Sequence, residues 1–431
     1  MTRRKRPSPQ PADTPGLAER RGALAMLAGV LDQGGVLEEV HGTGPERAAA
    51  RSLADVTLRR LGQIDDALAK FVDRPPKGPA RQILRLMAAE LLFAGTPPHA
   101  AVDSAVRLAR GAKGTSRVAG LINAVGRRLA EHGAGIVAAQ DEAATNVPNW
   151  LRKRLTRDWG EQIAAAVARA HLTPPAHDLT LANPMDGPAL ASETGGMLLP
   201  TGSLRLPGRP QISALPGYAQ GAWWVQDAAA ALPVQLLGDV SGRRVLDLCA
   251  APGGKTLQLA AGGAEVTALD VSDSRVARLQ ANLERCDLTA EVVVADLMEW
   301  SPDRAFDAVL LDAPCSASGT VRRHPDLPLR GDGRGLEALV RQQAHMLDRA
   351  AAFVAPGGTL IYCTCSLFKS EGEDQIPAFL SRNPDFSLGA MSSEIPQEFH
   401  NDQGTLRTRP DQWAGLGGLD GFFAARITRR L

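Results

Sequence analysis

The chain has 431 residues, of which 44% are hydrophobic and 22% are charged. This length exceeds one average domain and fits two or three domains of a globular protein. The formal net charge of +1 conceals an asymmetry, because residues 1–160 hold 25 basic and 16 acidic side chains and residues 161–431 hold 23 and 31. The basic first part points to a polyanionic partner, although an arginine-rich composition alone would also produce it.

Several classes of protein are excluded by these features. No apolar run approaches the roughly 18 residues that span a membrane, and residues 23–31 are not followed by the cleavage site of a signal peptide. The five cysteines include no C-x-x-C pair and have no histidine at zinc-ligand spacing, which excludes a disulfide framework and a structural zinc. We therefore expect a cytoplasmic protein with no bound metal, and nothing indicates more than a monomer.

The first part of the chain has a tail and a helical region. Residues 1–16 contain four basic residues and four prolines, which predicts a disordered basic tail. Residues 17–140 show apolar positions at helical spacing, most clearly over 81–93, 101–110 and 118–129. Several short amphipathic helices with short loops and no strand pattern predict an all-α bundle.

Three sequences in this bundle resemble the RNA-binding helical domain of the NusB family. They are ILRLMAAELL at residues 83–92, AVDSAVRLAR at 101–110 and LINAV at 121–125. The resemblance implies a module that binds RNA or docks a protein. The alternative is a helical domain that only packs against its neighbour.

The rest of the chain is predicted to form a small connector and a large α/β domain. Residues 141–222 begin with a basic stretch at 152–157 and continue with short apolar runs between glycines and prolines, which indicates an α+β subdomain. Residues 223–431 alternate strand and helix patterns, which predicts a doubly wound, Rossmann-like sheet. The predicted strands and helices are, in chain order, 244–248, 255–261, 265–271, 274–285, 291–295, 306–311, 335–354 and 359–362. A last strand over 421–427 has no helix after it and predicts an antiparallel hairpin at the sheet edge.

The strongest local signal is VLDLCAAPGGKT, residues 245–256. A buried strand carries Asp247 near its end, a turn of small residues follows, and a helix starts near Lys255. Gly253 and Gly254 would let the backbone approach a ligand closely at the carboxyl end of a strand. The run is neither a dinucleotide-binding G-x-G-x-x-G turn nor a P-loop.

Carboxylates at the ends of the next three strands extend this signal. Asp270 could accept both hydroxyls of a ribose, Asp296 could accept the amine of an adenine, and Asp312 ends the fourth strand. Any one of them alone could instead cap a helix. Three acidic residues on one crevice after a glycine turn predict an adenosine-containing cofactor. Because no diphosphate-binding loop is present, S-adenosylmethionine is the cofactor we expect.

Two cysteines are predicted to lie on the same rim. Cys315 follows the fourth strand in DAPCS and Cys365 follows the fifth in YCTCS, whereas Cys363 is expected to be a buried strand residue and Cys286 to have no role. A methyltransferase needs a thiol when the target is carbon 5 of a pyrimidine, because this carbon is too weakly nucleophilic. Addition of a thiolate to carbon 6 makes carbon 5 an enamine carbon that accepts the methyl group.

Together DLCAAPGGKT, DAPCS and YCTCS resemble the RNA cytosine-5 methyltransferases of the Nop2/Sun family. The resemblance implies that Cys365 is the nucleophile, that Cys315 helps to release the product, and that Asp312 also contacts the cytosine. With the NusB-like first domain, the chain resembles bacterial members that methylate a cytosine of 16S ribosomal RNA. The cofactor contacts that the resemblance implies are Cys249, Ala250, Ala251, Pro252, Gly253, Gly254, Lys255, Asp270, Asp296 and Asp312.

Smaller features agree with this family and one departs from it. WWVQD at 223–227 and DGFF at 420–423 resemble family segments, and RRHPD at 322–326 resembles a basic loop that could contact RNA phosphates. The family's E-N-E after the second cysteine motif is here Glu371-Gly372-Glu373. Alternative functions are methylation of transfer RNA, or a non-catalytic RNA-binding, assembly or antitermination factor.

Overall fold

The computed structural model describes residues 16–37, 44–112 and 114–431. The predicted basic tail therefore lies outside the described residues, apart from Gly16. Among the helices of the described residues, none is long and apolar enough to cross a membrane.

The chain divides into two compact units, which we call the helical unit and the sheet unit. The helical unit contains the chain up to Asn149 together with residues 324–332, and the sheet unit contains residues 150–323 and 333–431. The residues that the sequence analysis set apart as a connector are thus shared, with 141–149 in the helical unit and 150–222 in the sheet unit.

The helical unit is the all-α bundle that the periodicity predicted. Its helices are α1 Leu17–Leu31, α2 Pro45–Arg59, α3 Leu61–Ala69, α4 Pro79–Leu92, α5 Pro98–Gly111, α6 Ala119–Ala138 and α7 Glu142–Asn146. Three of them begin at a proline, whose fixed φ suits the first helical position. Helix α4 forms the centre, because ten of its 14 residues are buried. Helix α6 extends nine residues beyond its predicted end, over an alanine- and glycine-rich stretch without apolar periodicity.

The first part of the sheet unit is the predicted small α+β subdomain. It contains α8 Asn149–Ala170, interrupted by the non-helical Gly160, and α9 Gly187–Thr194. Four short strands form an antiparallel sheet in the order β2-β3-β1-β4. They are β1 Asp178–Leu181, β2 Met197–Leu198, β3 Leu204–Arg205 and β4 Trp223–Val225. The buried Arg205 guanidinium bonds both oxygens of Asp178, which fixes β3 beside β1.

The large sheet has the order β10-β12-β9-β8-β5-β6-β7, and β11 pairs with β12. Strands β5 to β9 run parallel to their neighbours within that set. The bounds are α10 Ala228–Gln235, β5 Arg244–Leu248, α11 Gly254–Ala261, β6 Glu265–Asp270, α12 Asp273–Arg285, β7 Glu291–Val294, β8 Phe306–Asp312, α13 Leu336–Ala351, β9 Val354–Thr364, α14 Gln375–Arg382, β10 Phe386–Leu388, β11 Leu406–Thr408 and β12 Phe422–Arg429. Every strand and helix predicted for this region is present, and the Rossmann-like fold is confirmed.

The sheet is covered on both faces, which follows from its alternating apolar residues. Leu246 and Leu248 of β5 pack with α13 and α14, whereas Val245 packs with α10 and α11 on the other face. The predicted antiparallel hairpin is present at the end of the sheet, where β12 pairs with β11. Strand β12 is the inner strand of this pair, with β9 on one side and β10 and β11 on the other. Its residues 422–425 are all buried, as a strand inside a sheet requires.

Candidate active site

The turn after β5 has the tight geometry that its small residues predict. Cys249 and Gly253 both have positive φ, and a side chain at Gly253 would have its Cβ 3.0 Å from Cγ of Leu279. Glycine therefore allows this turn to pack closely against α12. The Ala251 N–H donates to Oδ2 of Asp270 at 3.1 Å, and α11 begins at Gly254.

A cavity of about 400 Å³ opens beside this turn. The predicted cofactor residues that line it are Cys249, Ala250, Ala251, Pro252, Gly254, Lys255 and Asp312. Gly253, Asp270, Asp296 and both candidate catalytic cysteines are not among the described residues that line it. The lining also includes residues that we did not single out individually, notably Trp224, Gln226, Asp227, Arg323 and Asp420. These five residues belong to WWVQD, RRHPD and DGFF, the three segments that resemble family sequences, and that resemblance was the one signal in the sequence that could have found them.

Two of the three strand-end carboxylates already bond to the backbone. Asp270 is 2% exposed and accepts from the N–H groups of Ala251 and Ser272. Asp296 is exposed and accepts from the Met298 N–H at 2.8 Å, a local turn of the kind that caps helices. Their roles toward ribose and adenine stay predictions, and in this structure both carboxylates shape loops at the carboxyl edge of the sheet.

The third strand-end carboxylate forms an ion pair inside the site. Lys255 Nζ lies 2.8 Å from Oδ2 of Asp312, with the ammonium also 4.9 Å from the centre of the Phe422 ring. Burial alone would lower the pKa of Lys255, but Asp312 outweighs it and raises the pKa above its usual value. The lysine is therefore positively charged at neutral pH.

Asp247 is a buried acceptor at the wall of the cavity. The Thr256 hydroxyl donates to its Oδ2 at 2.6 Å, while its Oδ1 has no hydrogen-bond partner among the described residues. Burial raises the pKa of Asp247 to about 7, with Thr256 and Lys255 opposing the effect. A buried carboxylate oxygen left without a partner is costly, which suits a site that receives a polar ligand group.

The two candidate catalytic cysteines meet at the carboxyl ends of adjacent parallel strands. Cys315 Sγ lies 3.4 Å from Cys365 Sγ, and both residues are half-buried. The hydrogen bond to Cys365 and burial raise the pKa of Cys315 well above its usual value, and the Glu371 carboxylate adds to this shift. Cys315 is thus held as a neutral thiol. Cys363 is fully buried in β9, as predicted.

The two arginines of RRHPD bond to acceptors within the sheet unit. Arg322 is 3% exposed and donates to the Gly417 carbonyl, and Arg323 bonds both Asp227 and Asp420. Burial raises the pKa of Asp420, whereas Arg323 overcomes the burial of Asp227 and lowers its pKa. The expected phosphate contact therefore stays a prediction, and in this structure internal acceptors hold both arginines.

The glycine at position 372, where the family has an asparagine, also has a structural reason. Gly372 lies against Arg407 and Phe423, and a Cβ there would come within 2.7 Å of both side chains. Glu373 forms a two-point ion pair with the same arginine, so Arg407 occupies the space that a larger residue would need.

Comparisons with known proteins agree with this architecture. A family model described as "16S rRNA methyltransferase RsmB/F" matches residues 234–428, and the NusB family model matches residues 17–131. A protein of Xanthomonas campestris pv. campestris named "Ribosomal RNA small subunit methyltransferase B" is 36% identical over 96% of this chain and 98% of its own length. A Klebsiella pneumoniae subsp. pneumoniae protein of the same name is 35% identical over 89% of this chain and 90% of its own.

The chain belongs to the ribosomal RNA small subunit methyltransferase B family. Among solved structures, "Crystal Structure of PH0851" superposes with a TM-score of 0.72 at 24% identity and covers 97% of this chain and all of that one. The structure of a methyltransferase homologue from Pyrococcus horikoshii has a TM-score of 0.53 at 26% identity, over 64% of this chain and 93% of its own. Membership of the family confirms the NusB-like first domain and the predicted methyltransferase class. It also confirms S-adenosylmethionine as the cofactor.

Proposed function

We propose that this member of the family methylates carbon 5 of a cytosine in 16S ribosomal RNA through a covalent cysteine adduct. The observation that carries the proposal is the pair of thiols, Cys315 and Cys365, with their sulfurs 3.4 Å apart at the ends of adjacent strands. Methylation of a heteroatom such as a ring nitrogen needs no thiol, whereas carbon 5 of cytosine does. The curated relatives are named for the small-subunit RNA, which supports that substrate.

Cys365 is the nucleophile in this proposal. Its thiolate forms a bond to carbon 6 of the cytosine, and the electron pair of the 5,6 double bond moves to carbon 5, which takes the methyl group. A base then removes the proton from carbon 5, the double bond re-forms, and the sulfur leaves as thiolate. Cys315, held as a thiol by the hydrogen bond to Cys365 and by burial, is suited to donate its proton to the departing Cys365 thiolate 3.4 Å away.

The residues around the turn fit S-adenosylmethionine. The cofactor supplies an electrophilic methyl group and carries an ammonium that a carboxylate can accept. Asp247 offers such an acceptor with a buried free oxygen, and the tight turn at Gly253 brings backbone to the cavity edge. We assign cofactor binding to residues 249–255 with Asp270, Asp296 and Asp312, as the family resemblance implied. Lys255 holds Asp312 beside this site through their 2.8 Å ion pair.

The test uses the full chain with S-adenosylmethionine carrying a labelled methyl group and 16S RNA as substrate. Cys365→Ala is expected to abolish transfer while cofactor binding survives, because the nucleophile is lost and the turn is not. Cys315→Ala is expected to accumulate a protein–RNA adduct that resists denaturing electrophoresis, because release is impaired. Full activity of Cys365→Ala would refute the mechanism, and an adduct in that variant instead would exchange the two roles.

A further inference from the structure

Glu371 is a fully buried carboxylate beside the two cysteine loops. It lies in a short turn after β9, and the hydroxyl of Tyr362 donates to its carbonyl at 2.9 Å. Within the described part of the chain, no arginine or lysine forms an ion pair with this carboxylate. Its negative charge is instead met by neutral donors, as a carboxylate held for positioning would be.

The donors come from both cysteine loops and from a helix. Ser316, the residue after Cys315, donates its N–H at 2.9 Å and its hydroxyl at 2.5 Å. Ser366, the residue after Cys365, donates its hydroxyl. Gln343 of α13 donates to Glu371 at 2.9 Å and to the Pro314 carbonyl at 2.9 Å, which ties the first loop to the helix as well.

We propose that Glu371 is a positioning residue that joins the Cys315 loop to the Cys365 loop and thereby sets the distance between the two thiols. The proposal rests on the function proposed above, in which these thiols have separate chemical roles. Glu371 does not contact either sulfur by hydrogen bond in the described structure, so it acts through the serine that follows each cysteine. The two loops follow different strands, and the shared buried acceptor joins them by hydrogen bonds.

The negative charge of Glu371 also affects the protonation of Cys315. The hydrogen bond to Cys365 and burial are the main reasons for the raised pKa of Cys315, and the Glu371 carboxylate raises it further. A neutral amide in its place would keep the shape of the side chain but would point an N–H at groups that are themselves donors. Glu371→Gln therefore tests the acceptor with little change in volume.

The experiment measures thiol proximity without any methyl transfer. The full-length protein is treated with oxidised glutathione, and formation of the Cys315–Cys365 disulfide is followed by mass spectrometry of the linked peptides. One thiolate displaces a glutathione thiolate from the reagent, and the second thiolate displaces the other. In the wild-type protein the second displacement is fast, because the sulfurs are held together. We expect Glu371→Gln to slow this displacement about tenfold or more, because the loss of orientation between the two reacting groups outweighs the lower pKa that Cys315 has without the carboxylate.

Two further sets of variants separate positioning from general destabilisation. Ser316→Ala and Ser366→Ala each remove one hydroxyl that donates to Glu371 and should slow the displacement by less than Glu371→Gln. Glu90→Gln removes a buried carboxylate of the helical unit, which bonds Arg20, and should leave the displacement rate unchanged. Methyl transfer by Glu371→Gln should show a lower kcat with an unchanged KM for RNA.

The outcomes decide between the proposals. A displacement rate for Glu371→Gln equal to that of the wild-type protein or of Glu90→Gln would overturn the positioning role. If the disulfide rates behave as expected but Cys365→Ala still methylates, the positioning role stands and the proposed chemistry fails. If Cys365→Ala is inactive but Glu371→Gln forms the disulfide at the wild-type rate, the proposed chemistry stands and the positioning role of Glu371 fails.

Discussion

In the helical unit, the buried Glu90 carboxylate accepts bonds from Arg20 and Thr96, whereas in the sheet unit the buried Asp247 carboxylate has one oxygen without a partner among the described residues. Glu90 is 2% exposed and Asp247 is fully buried, so burial does not distinguish them. The difference is that Glu90 lies inside a bundle, while Asp247 lines a cavity. A satisfied carboxylate contributes to the fold, and an unsatisfied one at a cavity is available to a ligand.

The largest expected effect concerns the satisfied carboxylate. Glu90→Gln leaves the Arg20 guanidinium, whose side chain is 14% exposed, without its opposite charge. Breaking one side of a buried ion pair costs about 3 kcal/mol, so the free energy of unfolding of the helical unit should fall by that order. The affinity for S-adenosylmethionine should not change. Urea unfolding and calorimetric binding measure the two quantities.

A matched control is available on α5. Asp103 pairs with Arg107 across one turn, with side chains about half exposed. Asp103→Asn should cost less than about 0.5 kcal/mol, because exposed helical pairs contribute little. If Glu90→Gln and Asp103→Asn lower the free energy of unfolding equally, burial does not determine how much these ion pairs stabilise the protein.

The next effect concerns the unsatisfied carboxylate and its pH dependence. Burial raises the pKa of Asp247 from 3.8 to about 7 in the folded protein. The folded state then holds this proton more tightly than the unfolded chain, so the free energy of unfolding falls as the pH rises from about 4 to about 7. Between pH 5 and pH 8 this loss is less than about 3 kcal/mol, and Asp247→Asn removes it.

Urea unfolding of both proteins at pH 5 and pH 8 measures this effect. The wild-type protein should lose more stability than Asp247→Asn between the two values. Asp247→Asn should also bind S-adenosylmethionine more weakly at pH 8, since the ionised acceptor is gone. Parallel pH slopes for the two proteins would contradict the assignment. Thr256→Val is a useful companion, because it removes the one hydroxyl that bonds Asp247.

The sequence was sufficient for much of this architecture and insufficient where distant segments meet. Periodicity located the parallel strands and the turn at Gly253, because both are local patterns. The strands that flank β12 could not be predicted, since its pairing with β9 and β10 depends on the whole sheet. The ion pairs of Arg323 were missed for the same reason, because its partners Asp227 and Asp420 lie nearly a hundred residues away on either side.

The site shows the same division between local and distant signals. The two cysteine motifs predicted that Cys315 and Cys365 would lie on one rim, and the structure places their sulfurs in contact. The buried state of Glu371 could not be predicted, because a glutamate in a charged loop is normally solvated. Gly372 likewise gains its meaning only from Arg407 and Phe423, which approach it from other elements.

The smallest expected effect tests the charge asymmetry between the units. In the helical unit, a groove along α5 and α6 is lined by the exposed Arg110 and Arg127. The lining of the cavity in the sheet unit instead mixes four aspartates with three basic residues. If the predicted RNA contact lies at this groove, Arg127→Ala should weaken RNA binding a few-fold and reduce the salt slope by about one. Cofactor affinity should be unchanged. Arg107→Ala is the control, because Asp103 already neutralises that arginine on the same helix. Equal salt slopes for wild type and Arg127→Ala, measured by titration of RNA at several potassium chloride concentrations, would place the RNA contact elsewhere on the basic part of the chain.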